Sequence, residues 1–150
     1  MKFTVRFIVC GLLLLAGCAK RSEEKKMVFA FVPKLLDNPV FQLAWVGAQA
    51  AANDLGGGKI EVQRFAPVKS DAVEQAQIIE SLIEKKVDGI AVSVNDADAL
   101  KESINRAMDA GIPVVTFDSD APASKRISYY GTQNTHCGTQ LAELDRKSVV

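Results

Sequence analysis

The sequence predicts a doubly wound α/β domain, a parallel sheet in the strand order 2-1-3-4-5 with helices on its faces. Three observations carry this. From Met27 onward, short apolar runs of strand length alternate with longer stretches of 3.6-residue period. Capping and breaking residues stand at the junctions, as in Asn38-Pro39, Gly56-Gly57-Gly58 and Gly111-Ile112-Pro113. Successive strands are separated by connections long enough to hold a helix, and right-handed crossovers of that kind make neighbouring strands parallel.

Composition agrees with one ordinary globular domain: 150 residues, 48% of them hydrophobic, with 18 Lys and Arg against 18 Asp and Glu. Disorder is excluded on that balance. No basic run stands out, so the chain lacks the electrostatic footprint of a nucleic-acid partner. The cysteines, Cys10, Cys18 and Cys137, are too few for a disulfide scaffold and have no C-x-x-C spacing to clasp a metal.

The chain begins with Lys2 and Arg6, then an uncharged run of 13 residues, Phe7 to Ala19, with small residues at Ala16 and Gly17. This reads as a secretory signal, since a membrane span needs about 20 apolar residues. Leu15-Ala16-Gly17-Cys18 resembles the lipobox of bacterial lipoproteins, in which the cysteine becomes the lipid-bearing first residue of the mature chain. The alternative is that Cys18 is only a small apolar residue of an ordinary signal peptide. Residues 1–17 are therefore expected to be removed, leaving 16 basic against 18 acidic side chains. Residues 18–26 form the lipidated cysteine and a charged, solvated tether.

Met27 to Val32 is the first strand. Asn38-Pro39 then caps a helix from Pro39 to Leu55, whose stripe Val40, Leu43, Ala44, Gly47, Ala48, Ala51 and Leu55 is expected to face the sheet. Lys59 to Phe65 alternates like a strand with one wetter face, nearer the sheet edge. Asp71 to Lys86 is a helix with an acidic first turn and Ala72, Ala76, Ile79 and Ile83 on one face. Gly89 to Val94 is a strand buried on both sides. A third helix opens at Asp96 or Ala97, carries Leu100, Ile104, Ala107 and Met108 inward, and closes at Gly111. Pro113 to Phe117 and Ile127 to Tyr130 complete the sheet, and a fourth helix begins near Thr135.

In such sheets the ligand crevice lies beyond the carboxyl ends of the strands where the winding reverses. That points to Pro33–Phe41, Ser93–Asp96 and Phe117–Pro122. Asp118 and Ser119 end an apolar strand, where a carboxylate has no packing reason to be. A fixed carboxylate suits a ligand with paired hydroxyls, such as a sugar; equally, Asp-Ser-Asp is a common turn former. Asn38 is either a plain N-cap or a ligand contact. Phe41 either packs with Trp45 one turn on or offers its ring to a sugar, and Lys34 is similarly open.

Enzyme motifs are missing. Gly56-Gly57-Gly58-Lys59 has the wrong spacing and orientation for a phosphate loop, and there is no G-x-S-x-G elbow. His136 and Cys137 are adjacent on a helix and point about 100° apart, a poor basis for a shared metal. No catalytic residue, metal or cofactor is expected.

Taken together, Val32-Pro33-Lys34, Asp37-Asn38-Pro39-Val40-Phe41, Gly47-Ala48, Val87-Asp88-Gly89-Ile90, Asn95-Asp96-Ala97-Asp98, Ala110 to Val114, Thr116 to Asp120 and Tyr130 to Asn134 resemble periplasmic sugar-binding proteins of the ribose-binding type. The resemblance runs from about Val28 to Leu144. It implies a two-lobed fold closing on a hinge, a sugar ligand, the membrane subunits of an ABC importer as partner, and no enzymatic activity. It implies sugar contacts at Asn38, Phe41 and Asp118, with Ser93 and Ser119 lining the same pocket. Val40 departs from the family's frequent second aromatic, which leaves the stacking geometry and the preferred sugar open.

On this reading residues 27–150 are the N-terminal sugar-binding lobe, truncated before the second, and Asp145 to Val150 does not continue the resemblance. The protein is expected in the periplasm or cell envelope, lipid-anchored to a membrane, as a monomer. Two alternatives stay open: a chemotaxis or signalling receptor for a sugar-like ligand, and an inactive one-lobe fragment. A lac-repressor-type regulator would carry a helix-turn-helix where this chain has the lipobox, and a flavodoxin-like enzyme would need a bound cofactor or turnover.

Overall fold

A computed structural model describes residues 26–148 of the chain. The leader, Cys18 and the tether through Lys25 lie outside the described residues. The elements run β1 Met27–Val32, α1 Pro39–Gly56, β2 Ile60–Arg64, α2 Ala72–Lys85, β3 Gly89–Val92, α3 Ala97–Asp109, β4 Val114–Phe117, β5 Ser128–Tyr130 and α4 Asn134–Ser148. The sheet is all parallel in the order β2-β1-β3-β4-β5, as the alternation of strands and helices predicts. The wetter strand β2 is at an edge, and β3 lies between β1 and β4.

Local chemistry sets the helix boundaries. Asn38, Asp71 and Asp96 are extended residues whose side chains accept the first orphan amides of α1, α2 and α3. Gly57 ends α1 in the left-handed region, φ +52°, and Gly111 follows α3 at φ +81°, its N–H on the Met108 carbonyl. Gly56 allows the last turn of α1 to lie on Ile60, since a Cβ there would stand 2.7 Å from that residue's Cβ.

One face of the sheet carries the core. Ala30, Val32, Ile90, Val92 and Val114 pack under α2 and α3, which contribute Ile79, Leu82, Leu100, Ile104 and Ala107. Fully burying a Leu or Ile side chain contributes about 1.5–3 kcal/mol, so these helices hold the sheet flat side to flat side through a few large aliphatic residues.

The other face differs from expectation. Val40, Leu43 and Leu55 of the anticipated stripe are exposed, at 68%, 75% and 83%. The helix instead turns Phe41, Trp45 and Ala52 toward the sheet, about one position round. Helix α1 is apolar on nearly every side, so periodicity could not choose the inner face; the aromatic rings, with more area to bury, choose it. Trp45 lies on Phe31, with ring centroids 5.9 Å apart, and Phe31 stacks on Phe117 at 4.9 Å. Ala91, expected to be buried with the rest of β3, is half-buried on this face, and Val115 and Tyr130 are exposed. None of the described helices is long and apolar enough to cross a membrane.

Candidate functional site

The loops that follow β1, β3 and β4 emerge at one end of the sheet, and their polar groups converge on Asp118. Its backbone sits at φ +59°, a left-handed conformation that a non-glycine residue adopts only when its surroundings hold it there. The hold is visible. The Asp118 N–H donates to the Tyr130 carbonyl at 3.1 Å, and Ser119 N–H closes a three-residue turn on the Phe117 carbonyl at 2.6 Å. The Tyr129 hydroxyl donates to the Asp118 carbonyl at 2.8 Å.

The side chain is equally fixed. Ser93 Oγ donates to Asp118 Oδ2 at 2.7 Å, Ser119 Oγ approaches the same oxygen at 3.3 Å, and Lys34 Nζ stands 3.8 Å from it. Among the described residues no donor reaches Oδ1, so one carboxylate oxygen is pinned and the other retains its acceptor capacity. With the side chain 46% exposed, Asp118 is a preset acceptor beside solvent. It borders an open cavity of about 290 Å³ with Phe117, Tyr130, Gly131, Thr132 and Asn134.

Asp118 forms its tight turn through its backbone, and Asp120 braces the residues that follow through its side chain. Asp120 Oδ1 accepts from Ala121 N–H at 2.8 Å and from Thr116 Oγ1 at 2.6 Å, while Arg126 grips the carboxylate with Nε on Oδ1 and Nη2 on Oδ2, the latter at 2.6 Å. The Arg126 hydrogen bonds hold the Asp120 carboxyl below the ordinary carboxylate value; desolvation opposes them, and Thr116 and Ala121 add to the lowering. The same bonds raise the Arg126 guanidinium above its already high value.

The other anticipated site residues divide. Ser119 and Asp118 lie together on the crevice side, and Val94 N–H donates to the Ser119 carbonyl at 3.3 Å, tying the β3 loop to the β4 loop. Asn38 caps α1 through Oδ1 on Val40 N–H at 2.9 Å, which leaves its amide NH2 as the part able to reach a ligand. Ser93 and Phe41 do not line the open crevice. Ser93 is 0% exposed because its hydroxyl is turned onto Asp118, and Phe41 is 5% exposed because its ring edge packs on Phe117, 6.3 Å between centroids, rather than on Trp45. Phe117 is thus the ring beside the carboxylate. His136 and Cys137 are exposed on α4, and no group of three or more potential metal ligands occurs among the described residues.

Sequence reasoning missed Gln75, Asp120 and Arg126. Gln75 is 0% exposed on α2, between the core residues and the β1 and β3 loops. Its signal was a glutamine on the Gln75, Ile79, Leu82 stripe, where every other residue is apolar.

The comparisons with known proteins agree with this architecture. The ribose import binding protein RbsB of Bacillus subtilis is 28% identical over 95% of this chain and 49% of its own length. The solved structure of GanP, a glucose-galactose binding protein from Geobacillus stearothermophilus, superposes with a TM-score of 0.72 at 35% identity, over 81% of this chain and 44% of that one. An ABC transporter solute binding protein from Burkholderia graminis, solved with D-arabinose, gives 0.75 at 38% identity, over 85% and 43%. The chain spans about half the length of these proteins, in keeping with one lobe of their fold. A periplasmic binding protein domain matches residues 29–147, and the chain belongs to that family.

Proposed function

We propose that this protein is the substrate-binding receptor of a bacterial ABC sugar importer, that it performs no chemistry on its ligand, and that the described residues are the first lobe of a two-lobed monomer. The observation that carries the reading is the pinned Asp118 carboxylate at the carboxyl end of β4, in a chain whose relatives are named for ribose and glucose-galactose binding and include one solved with D-arabinose. Sugar hydroxyls donate to a carboxylate and stack their C–H faces on an aromatic ring, and Asp118 beside Phe117 offers both.

In this reading Asp118, Ser119 and the Asn38 amide contact the sugar directly. Ser93 acts on it through Asp118, and Phe41 braces Phe117. Residues 1–17 direct export, Cys18 carries lipid, and residues 19–26 tether the domain to a membrane in the periplasm or cell envelope. Isothermal titration of the purified protein with ribose, arabinose, fructose, glucose and galactose tests the ligand class. Saturable binding of at least one of them supports it, and silence toward all five overturns it. Metabolic labelling with a radioactive fatty acid tests the anchor: the label should be lost in Cys18→Ser, and its persistence there counts against lipidation.

A further inference from the structure

We infer that Gln75 is the positioning residue of the site, a single buried amide that ties the loop after β1 to the loop after β3 and thereby sets the Asp118 carboxylate. The inference rests on the sugar-receptor reading and names a determinant of that site. Gln75 places both of its amide protons and its carbonyl oxygen on backbone that leads to Asp118. Its Nε2 donates to the Ser93 carbonyl at 2.8 Å and to the Pro33 carbonyl at 3.2 Å, and its Oε1 accepts from Asn95 N–H at 2.9 Å.

Each of those attachments borders a group that touches Asp118. Ser93 also supplies the hydroxyl on Oδ2, and Pro33 precedes Lys34, whose ammonium faces the same oxygen. Asn95 completes the loop, its Nδ2 donating to the Lys34 carbonyl at 2.9 Å. Backbone carbonyls buried without a donor are costly, so this side chain can be replaced by an apolar one only if the loops move apart to find water or other donors. The β1–β3 ladder ends with the Ser93 N–H on the Val32 carbonyl at 2.9 Å, and Gln75 carries the tie between the two chains past that point into the loops.

The test uses NMR on the purified protein, with the conservative-volume variant Gln75→Met beside wild type. In wild type the two side-chain amide protons of Gln75 and the Asn95 amide should exchange slowly with solvent; fast exchange overturns the clamp without reference to any variant. In Gln75→Met, the Asn95 amide should exchange faster and the Asp118 carboxyl carbon should shift, while the amides of β1 and β3 keep their protection. Affinity for D-ribose, if wild type binds it, should fall roughly tenfold or more. Unchanged Asn95 and Asp118 signals, or protection lost evenly across the sheet, would show that Gln75 only fills core volume. A wild type that binds no sugar overturns the proposed function, and the exchange and carboxyl signals still decide the clamp.

Discussion

Replacing Asp120 by alanine should cost the domain about 3 kcal/mol, and the figure follows from the contacts it removes. The carboxylate accepts two bonds from Arg126, one from the buried Thr116 hydroxyl and one from Ala121 N–H. Breaking a buried ion pair on one side costs about 3–5 kcal/mol, because the surviving charge is left desolvated. Here both side chains are about a fifth exposed, at 21% for Asp120 and 20% for Arg126, so the loss belongs near the lower end. For a domain of this size that is roughly a 10 °C drop in Tm.

Urea unfolding of wild type, Asp120→Ala, Arg126→Met and the double variant supplies the assay. The coupling energy should be about 2 kcal/mol. A second readout comes from acid. The folded-state pKa of Asp120 is held below its ordinary 3.8, so its contribution is fully present above that value and is lost as pH falls through the folded-state value. Wild type should therefore lose stability more steeply than Asp120→Asn below about pH 4. A coupling energy under about 0.5 kcal/mol, with identical acid limbs, would refute the claim that this pair anchors the β4–β5 connection.

Other perturbations separate site from scaffold. Asp118→Asn, which tolerates the left-handed backbone, should keep the far-UV spectrum and lose sugar binding, and calorimetry showing wild-type affinity would sink the assignment of that carboxylate. Ile104→Ala, at a side chain 0% exposed between α3 and the sheet, should destabilise by about 2–5 kcal/mol in urea. Gly56→Ala drives a methyl to 2.7 Å from Ile60 Cβ and should cost about 1–3 kcal/mol; thermal melts that match wild type would mean the α1–β2 corner opens freely. Asp71→Ala removes the acceptor for Val73 and Glu74 N–H and should cost about 1 kcal/mol.

The sheet was legible in the sequence because strand and helix periods differ, and connections of helix length leave a parallel order as the simple outcome. The region of the candidate site was legible for the same reason: topology alone places Asp118, Ser119 and Ser93 at the carboxyl end of the sheet, where the winding reverses between β1 and β3. Orientation was not. Helix α1 offers apolar side chains all round, and the choice between the Val40–Leu43 side and the Phe41–Trp45 side depends on rings from β1 and β4 that only folding brings near. Gln75 was hidden likewise, since its partners Pro33 and Ser93 lie 42 and 18 residues away along the chain. Asp118 and Asp120 read alike in the motif, and what separates them is Arg126, whose guanidinium takes one and leaves the other to the crevice.

That division of labour bears on how the site generates affinity. Asp118 is preorganised, with backbone N–H and C=O both engaged and one carboxylate oxygen pinned, so a ligand meets it with little left to order. Its side chain is nonetheless 46% exposed, and a carboxylate in contact with water exchanges one set of hydrogen bonds for another of similar strength when a sugar arrives. Preorganisation alone then yields selectivity for geometry and little free energy. The gain comes when a second surface closes over the ligand, excludes water and lowers the dielectric around the same oxygens. In the proposed receptor, then, the loops after β1, β3 and β4 would set which hydroxyl pattern is accepted, and closure of the second lobe would set how tightly it is held. Substitutions at Ser119 or Asn38 should change which sugars compete, whereas substitutions confined to the opposing lobe should weaken all of them in proportion, and competition titrations with paired sugars distinguish the two.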